Sequence, residues 1–359
     1  VYITLFLITC TTFLNEEKIK KGRYSLQLKL TVFIIIGVLV SFSLQGYGLY
    51  SIILSTLFQV LNYWFFYRFL KDTKTEEKPV SLRFVRTGLW LGLLSTLFPF
   101  GVGIIAAKGL NGSEIYNSFI YSFLHFQYNG WFLFMVIGLF FRFIEGKESG
   151  YDVKLARTFY WLMTIAVIPA CFLSFLGMSF RSYAFIPSIL AGIVQLAAAF
   201  YLVKALRGQF RVWFKSVDLW SRLFLMIFLV SFFTKIVLQS LSIIPSMKDL
   251  AFSNKYIVLA YLHLSLLGMI SCFLIAALRI KGWLSSHMLT YLGMALLLIG
   301  FMLTETVLLL GGLQIFYDQS LLFWGSAAMA LGVLFLLVSP VSLRRNSNER
   351  TSNLDQLTD

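Results

Sequence analysis

Tyr256-Ile-Val-Leu-Ala-Tyr-Leu-His-Leu-Ser-Leu-Leu-Gly-Met-Ile-Ser-Cys-Phe-Leu-Ile-Ala-Ala-Leu278 runs for 23 residues without Asp, Glu, Lys or Arg. At about 1.5 Å per residue, a helix of that length covers the roughly 30 Å of a bilayer's hydrocarbon core. Comparable stretches recur at about 1–14, 28–45, 48–70, 83–107, 114–142, 155–178, 184–206, 218–245, 252–279, 286–312 and 318–343. With 58% hydrophobic and 13% charged residues among 359, the chain has more apolar surface than a soluble core could hide. Spans this long are helical, since a membrane strand needs only about ten residues and a closed barrel around it. The expected fold is all-α: one polytopic bundle of about eleven transmembrane helices over residues 1–343, then a polar, Asn/Ser/Thr-rich tail at 344–359. The first stretch is short, starts at Val1 and lacks the basic leader of a signal peptide, and the expected count becomes twelve if an N-terminal helix is missing.

The excess of 30 Lys and Arg over 16 Asp and Glu raises the question of a nucleic-acid partner, and the placement of the charges answers it. Lys108, Arg181, Lys248 and Lys255 fall in one set of alternate joints, and Lys235 lies inside a span. All the other basic residues sit in or beside the opposite joints and the tail, as with Lys18, Lys20, Lys21 and Arg23. By the positive-inside rule those joints are cytoplasmic, the first residue is outside and the C-terminus inside. The net charge of +14 therefore reports topology and attraction to a lipid leaflet, not nucleic acid. Cys10, Cys171 and Cys272 all fall in apolar spans, which suits small buried hydrophobes rather than a disulfide framework.

Of only three histidines, two interrupt apolar spans: His125, in Phe123-Leu-His-Phe-Gln-Tyr-Asn-Gly-Trp131, and His263, in Tyr261-Leu-His-Leu-Ser-Leu-Leu-Gly268. His287, after Ser285 and Ser286, reads as interfacial. Imidazole within a membrane points to a ligand or a proton relay. Both spans enter from the outer side, and the histidines lie eleven residues beyond Glu114 and eight beyond Lys255. Each is thus roughly 12 to 16 Å from its helix end, a shared depth that two axial ligands of one heme would need. Ser118, Ser122, His125 and Asn129 recur at offsets of three to four and form one polar stripe, with Gln127 and Tyr128 nearby. The stripe suits a second hydrogen bond to a ligating imidazole, a hydrated path, or interhelical hydrogen bonding alone. His263 has the less polar company of Tyr256, Tyr261 and Ser265.

Two charges of opposite sign also lie within spans, Lys235 in Phe233-Thr-Lys-Ile-Val237 and Glu305 in Leu303-Thr-Glu-Thr-Val307. An unpaired charge there costs at least about 2.5 kcal/mol, so contact between the two, or with a cofactor carboxylate or a proton, is expected. Lys235 would suit a heme propionate and Glu305 a proton relay; outward snorkelling of Lys235 is the alternative.

In helix count and in two local motifs the chain resembles the catalytic subunits of heme-copper oxidases and nitric oxide reductases, in a divergent and reduced form. That superfamily has twelve spans with both termini cytoplasmic, and the eleven here resemble its second to twelfth. The resemblance implies that His125 stands where the sixth span supplies a histidine to the nonheme metal. It places Tyr261-Leu-His263 where the tenth span carries His-x-His, so that only the low-spin heme ligand is kept. The paired histidines of the seventh span have no counterpart in 155–178, and 1–14 offers no second-span histidine. A complete centre with copper or nonheme iron cannot be built from these residues.

The leading expectation is therefore a cytoplasmic-membrane hemoprotein holding b-type heme through His263, with His125 as a candidate second ligand, near Tyr261 and Lys235. It would work in electron transport or in the redox chemistry of oxygen or nitric oxide, as an oxidoreductase if an enzyme, with an electron donor or other respiratory-chain subunits as partners. A second expectation is a transporter or channel in which His125, Gln127, Asn129, Ser122, Lys235 and Glu305 line a substrate or proton path. A third is a noncatalytic respiratory-complex subunit.

Overall fold

The computed structural model describes residues 1–74, 78–145, 150–207 and 209–339, and these are helical with short joints. Among them, nine helices are long and apolar enough to cross a membrane: Tyr24–Gln45, Leu49–Asp72, Val80–Ala107, Glu114–Ile144, Arg181–Ala205, Leu219–Leu241, Lys255–Ile280, Met288–Gly312 and Gln319–Val338. Their surfaces carry Phe33, Leu44 and Leu337 at 75%, 82% and 77% exposure, an arrangement stable only against lipid. The protein is a helical membrane protein.

Two of the eleven expected spans differ from the rest. The span at 155–178 is a bent pair, Val153–Val167 and Pro169–Phe175, turned by 43°. Pro169 has no N–H to continue the ladder, and its ring crowds the preceding turn. The span at 1–14 is the twelve-residue helix Tyr2–Phe13, about 18 Å long and too short to cross alone. The tail expected at 344–359 lies outside the described residues.

The described residues pack as two compact units, the first within Val1–Ser216 and Phe232–Phe252, the second within Val217–Ser231 and 253–339. In the first unit, Phe84 is wholly buried among Phe134, Phe141, Phe159 and Tyr160, its ring stacked on Phe141 at 5.8 Å. Arg181–Ala205 packs along Val153–Val167, and its Ala184, Ala191, Ala198 and Ala205, seven residues apart, are completely buried. Small residues at that spacing let helices approach closely where no hydrophobic effect drives them together. In the second unit, Met288–Gly312 and Gln319–Val338 form the most extensive helix pair.

One local irregularity occurs in both units. Directly after His125 the residues Phe126–Phe132 wind as a π-helix, and directly after His263 so do Leu264–Ser271. Such i→i+5 turns are rare and cluster at functional sites. A glycine stands inside each, where a neighbour comes close: a Cβ on Gly130 would meet the Leu91 Cβ at 3.0 Å, and one on Gly268 the Ser231 Oγ at 2.5 Å.

Candidate functional site

The polar centre of the first unit begins at the break before Pro169. Beyond Val167 the chain tightens, and the Cys171 N–H donates to the Ile168 carbonyl at 3.1 Å instead of to Val167 four residues back. The Val167 carbonyl is thereby free, and His125 Nε2 meets it at 2.7 Å. A carbonyl oxygen only accepts, so Nε2 carries the ring proton and Nδ1 is an acceptor. Asn129, one turn on, supplies the donor, its Nδ2 lying 3.1 Å from Nδ1. His125 is buried, with both ring nitrogens held by protein groups.

Lys235 stands on Leu219–Leu241 at 2% exposure, so it does not snorkel to an interface. Its Nζ donates to Gln239 Oε1 at 2.9 Å, again one turn on. Four helices of the unit close a small gap between these groups, with His125, Asn129, Gln195, Lys235 and Gln239 on its polar side and Met163 and Ile236 among its apolar walls. It has room for about one water molecule. Gln195 is 6% exposed, and its Oε1 has no hydrogen-bond partner among the described residues.

Of the residues expected to form a site, the gap thus collects His125, Asn129 and Lys235, and it leaves out Gln127 and Ser122 of the same unit. Gln127 turns to Ser95, whose Oγ donates to Gln127 Oε1 at 2.8 Å, because a residue two positions beyond His125 lies about 200° around the helix, away from the stripe. Ser122 donates back to the Ser118 carbonyl at 2.8 Å and receives the Cys171 thiol at 3.5 Å. His263, Tyr261 and Glu305 belong to the second unit. His263 is half-buried, and its Nδ1, like Glu305 Oε2, is enclosed without a hydrogen-bond partner among the described residues. His287 is exposed and accepts from the Leu289 N–H as a helix cap, and all three cysteines are free and buried.

Gln195 and Gln239 were not expected. Each left a trace: Gln239 lies one helical turn from a buried lysine, and Gln195 is the single carboxamide in Arg181–Ala205.

The fit to a heme differs between the two histidines. His125 offers iron no lone pair, since Nε2 is protonated and Nδ1 is occupied, and the gap beside it is far smaller than a porphyrin. His263 keeps one unsatisfied nitrogen. Among the described residues no group of three or more His, Cys, Asp or Glu is placed to hold a metal ion. No known protein-family model and no curated protein matches the chain, so the resemblance to heme-copper oxidases rests on helix order and two local motifs.

Proposed function

We propose that the chain is a multi-pass transporter or channel of the cytoplasmic membrane, with its basic joints inside, and that its path runs through the polar gap of the first unit. The observation that carries this reading is the burial of a lysine, a histidine and two carboxamides, Gln195 and Gln239, around one small gap within apolar helices. Polar groups at such positions are costly and are kept for ion or solute pathways, and they need no cofactor to explain them. The test is ion and solute flux into vesicles containing the full chain. Lys235→Met should abolish flux that the wild type shows; equal flux in both would sink the proposal.

A second reading keeps the expected hemoprotein but moves its anchor wholly to the second unit, with b-type heme held through His263. The unsatisfied His263 Nδ1 favours it. Such a heme would supply a one-electron iron centre for electron transfer or small-gas chemistry. Protein purified from heme-supplemented cells would then show a Soret band that His263→Ala removes and His125→Leu leaves in place.

A further inference from the structure

We infer that the gap of the first unit is a binding subsite for a monatomic anion of the halide class. This rests on the transport reading and names what that path selects.

The donor set carries the inference. Lys235 brings its amine to the gap, which an anion bound beside it would hold in the ammonium form, and Asn129, Gln195 and Gln239 bring carboxamides from three different helices. The Gln239 oxygen is already taken by Lys235 Nζ, which leaves its amide N–H groups as what it can offer. Asn129 uses one amide hydrogen on His125 Nδ1 and keeps the other. The Gln239 amide N–H groups make no hydrogen bond among the described residues, and Gln195, whose Oε1 has no partner to hold it there, can turn its amide N–H groups toward the gap. A cationic pocket rich in N–H groups recognises an acceptor, and charge-assisted hydrogen bonds are about twice as strong as neutral ones. Apolar walls such as Met163 and Ile236 lower the local dielectric and strengthen that attraction.

Size narrows the class. Space for about one water excludes a carboxylate-bearing metabolite or a phosphate; it admits a water, and the somewhat larger halide once the flexible ends of Lys235 and Gln239 draw back. Charge then separates those two, because an anion gains from the ammonium what a water does not. His125 is a positioning residue in this scheme. Its ring, pinned by the Val167 carbonyl, fixes the Asn129 amide at the gap.

The experiment is thermal unfolding of the detergent-solubilised full chain, titrated with sodium chloride against sodium gluconate, with bromide soaked into crystals as a second readout. Chloride should raise the midpoint where gluconate does not, and bromide should give an anomalous peak beside Lys235. Lys235→Met and Gln195→Glu should each weaken the chloride response by about tenfold or more, the second because it puts a like charge in the gap. A response equal in gluconate, or kept in both variants, or a water alone in the crystal, overturns the assignment. Chloride binding without flux in vesicles overturns the transport reading instead; flux without chloride binding overturns this inference alone.

Discussion

Removing the His125 ring would strand two groups at once, the Val167 carbonyl and the Asn129 amide. A buried polar group deprived of its partner costs about 1 to 3 kcal/mol, and no water from a lipid phase replaces it. His125→Leu is therefore expected to lower the unfolding midpoint of the detergent-solubilised protein by several degrees, while His125→Gln, which can still reach one partner, loses less. Equal midpoints for all three proteins would refute the hydrogen-bonded role. Asp218 gives a second test at this scale, outside the spans. Partial burial pushes its carboxyl upward, but hydrogen bonds from Ser221 and Arg279, with the Arg279 charge, outweigh that and hold it below the usual carboxylate range. A depressed folded value means stabilisation that is present above the unfolded value, near 3.9, and lost as pH falls through the folded one. Acid unfolding below about pH 4 should accordingly flatten in Asp218→Asn, with the two proteins converging at the acid end.

Among the elements, the helix pair Met288–Gly312 and Gln319–Val338 depends on glycines seven residues apart in each. A Cβ on Gly300 would lie 2.4 Å from the Gly325 carbonyl oxygen, which is backbone and cannot swing away, whereas one on Gly103 meets nothing within 4 Å. Gly300→Ala should destabilise by about 1 to 3 kcal/mol, and Gly103→Ala should be neutral or slightly stabilising. Thermal unfolding of the two variants side by side checks both. These helices were legible in the sequence, because an apolar run of 20 residues can satisfy its backbone in lipid in only one way. The bend at Pro169 and the π turns after His125 and His263 leave hydropathy unchanged and so were not legible by that route. The effect of the bend on the site is large all the same. Release of the Val167 carbonyl explains why His125 is pinned, and an offset of two residues, about 200° around the helix, explains why Gln127 faces Ser95. Gln195 escaped notice because a lone carboxamide declares its neighbours only after the helices are packed.

For the whole molecule, the recurrence of a histidine, a π turn and a glycine in both units extends to the order of helices. Val80–Ala107, Glu114–Ile144, the bent pair and Arg181–Ala205 are followed by Leu219–Leu241, Lys255–Ile280, Met288–Gly312 and Gln319–Val338, with the histidine on the second member each time. With the bent pair taken as one span, three crossings lie between equivalent members, so both histidine-bearing segments would enter from the same side. The distribution of Lys and Arg assigns that side to the exterior. Cysteine labelling can decide the matter directly, because native Cys10, Cys171 and Cys272 are buried and give little background. Asn111 and Lys154 are exposed and flank the Glu114–Ile144 span. Asn111→Cys should react with a membrane-impermeant maleimide on intact cells, and Lys154→Cys only after permeabilisation. The reverse pattern would invert the orientation, and labelling of both on intact cells would mean that Glu114–Ile144 does not cross, removing with it the enclosed gap that His125 and Asn129 help to line.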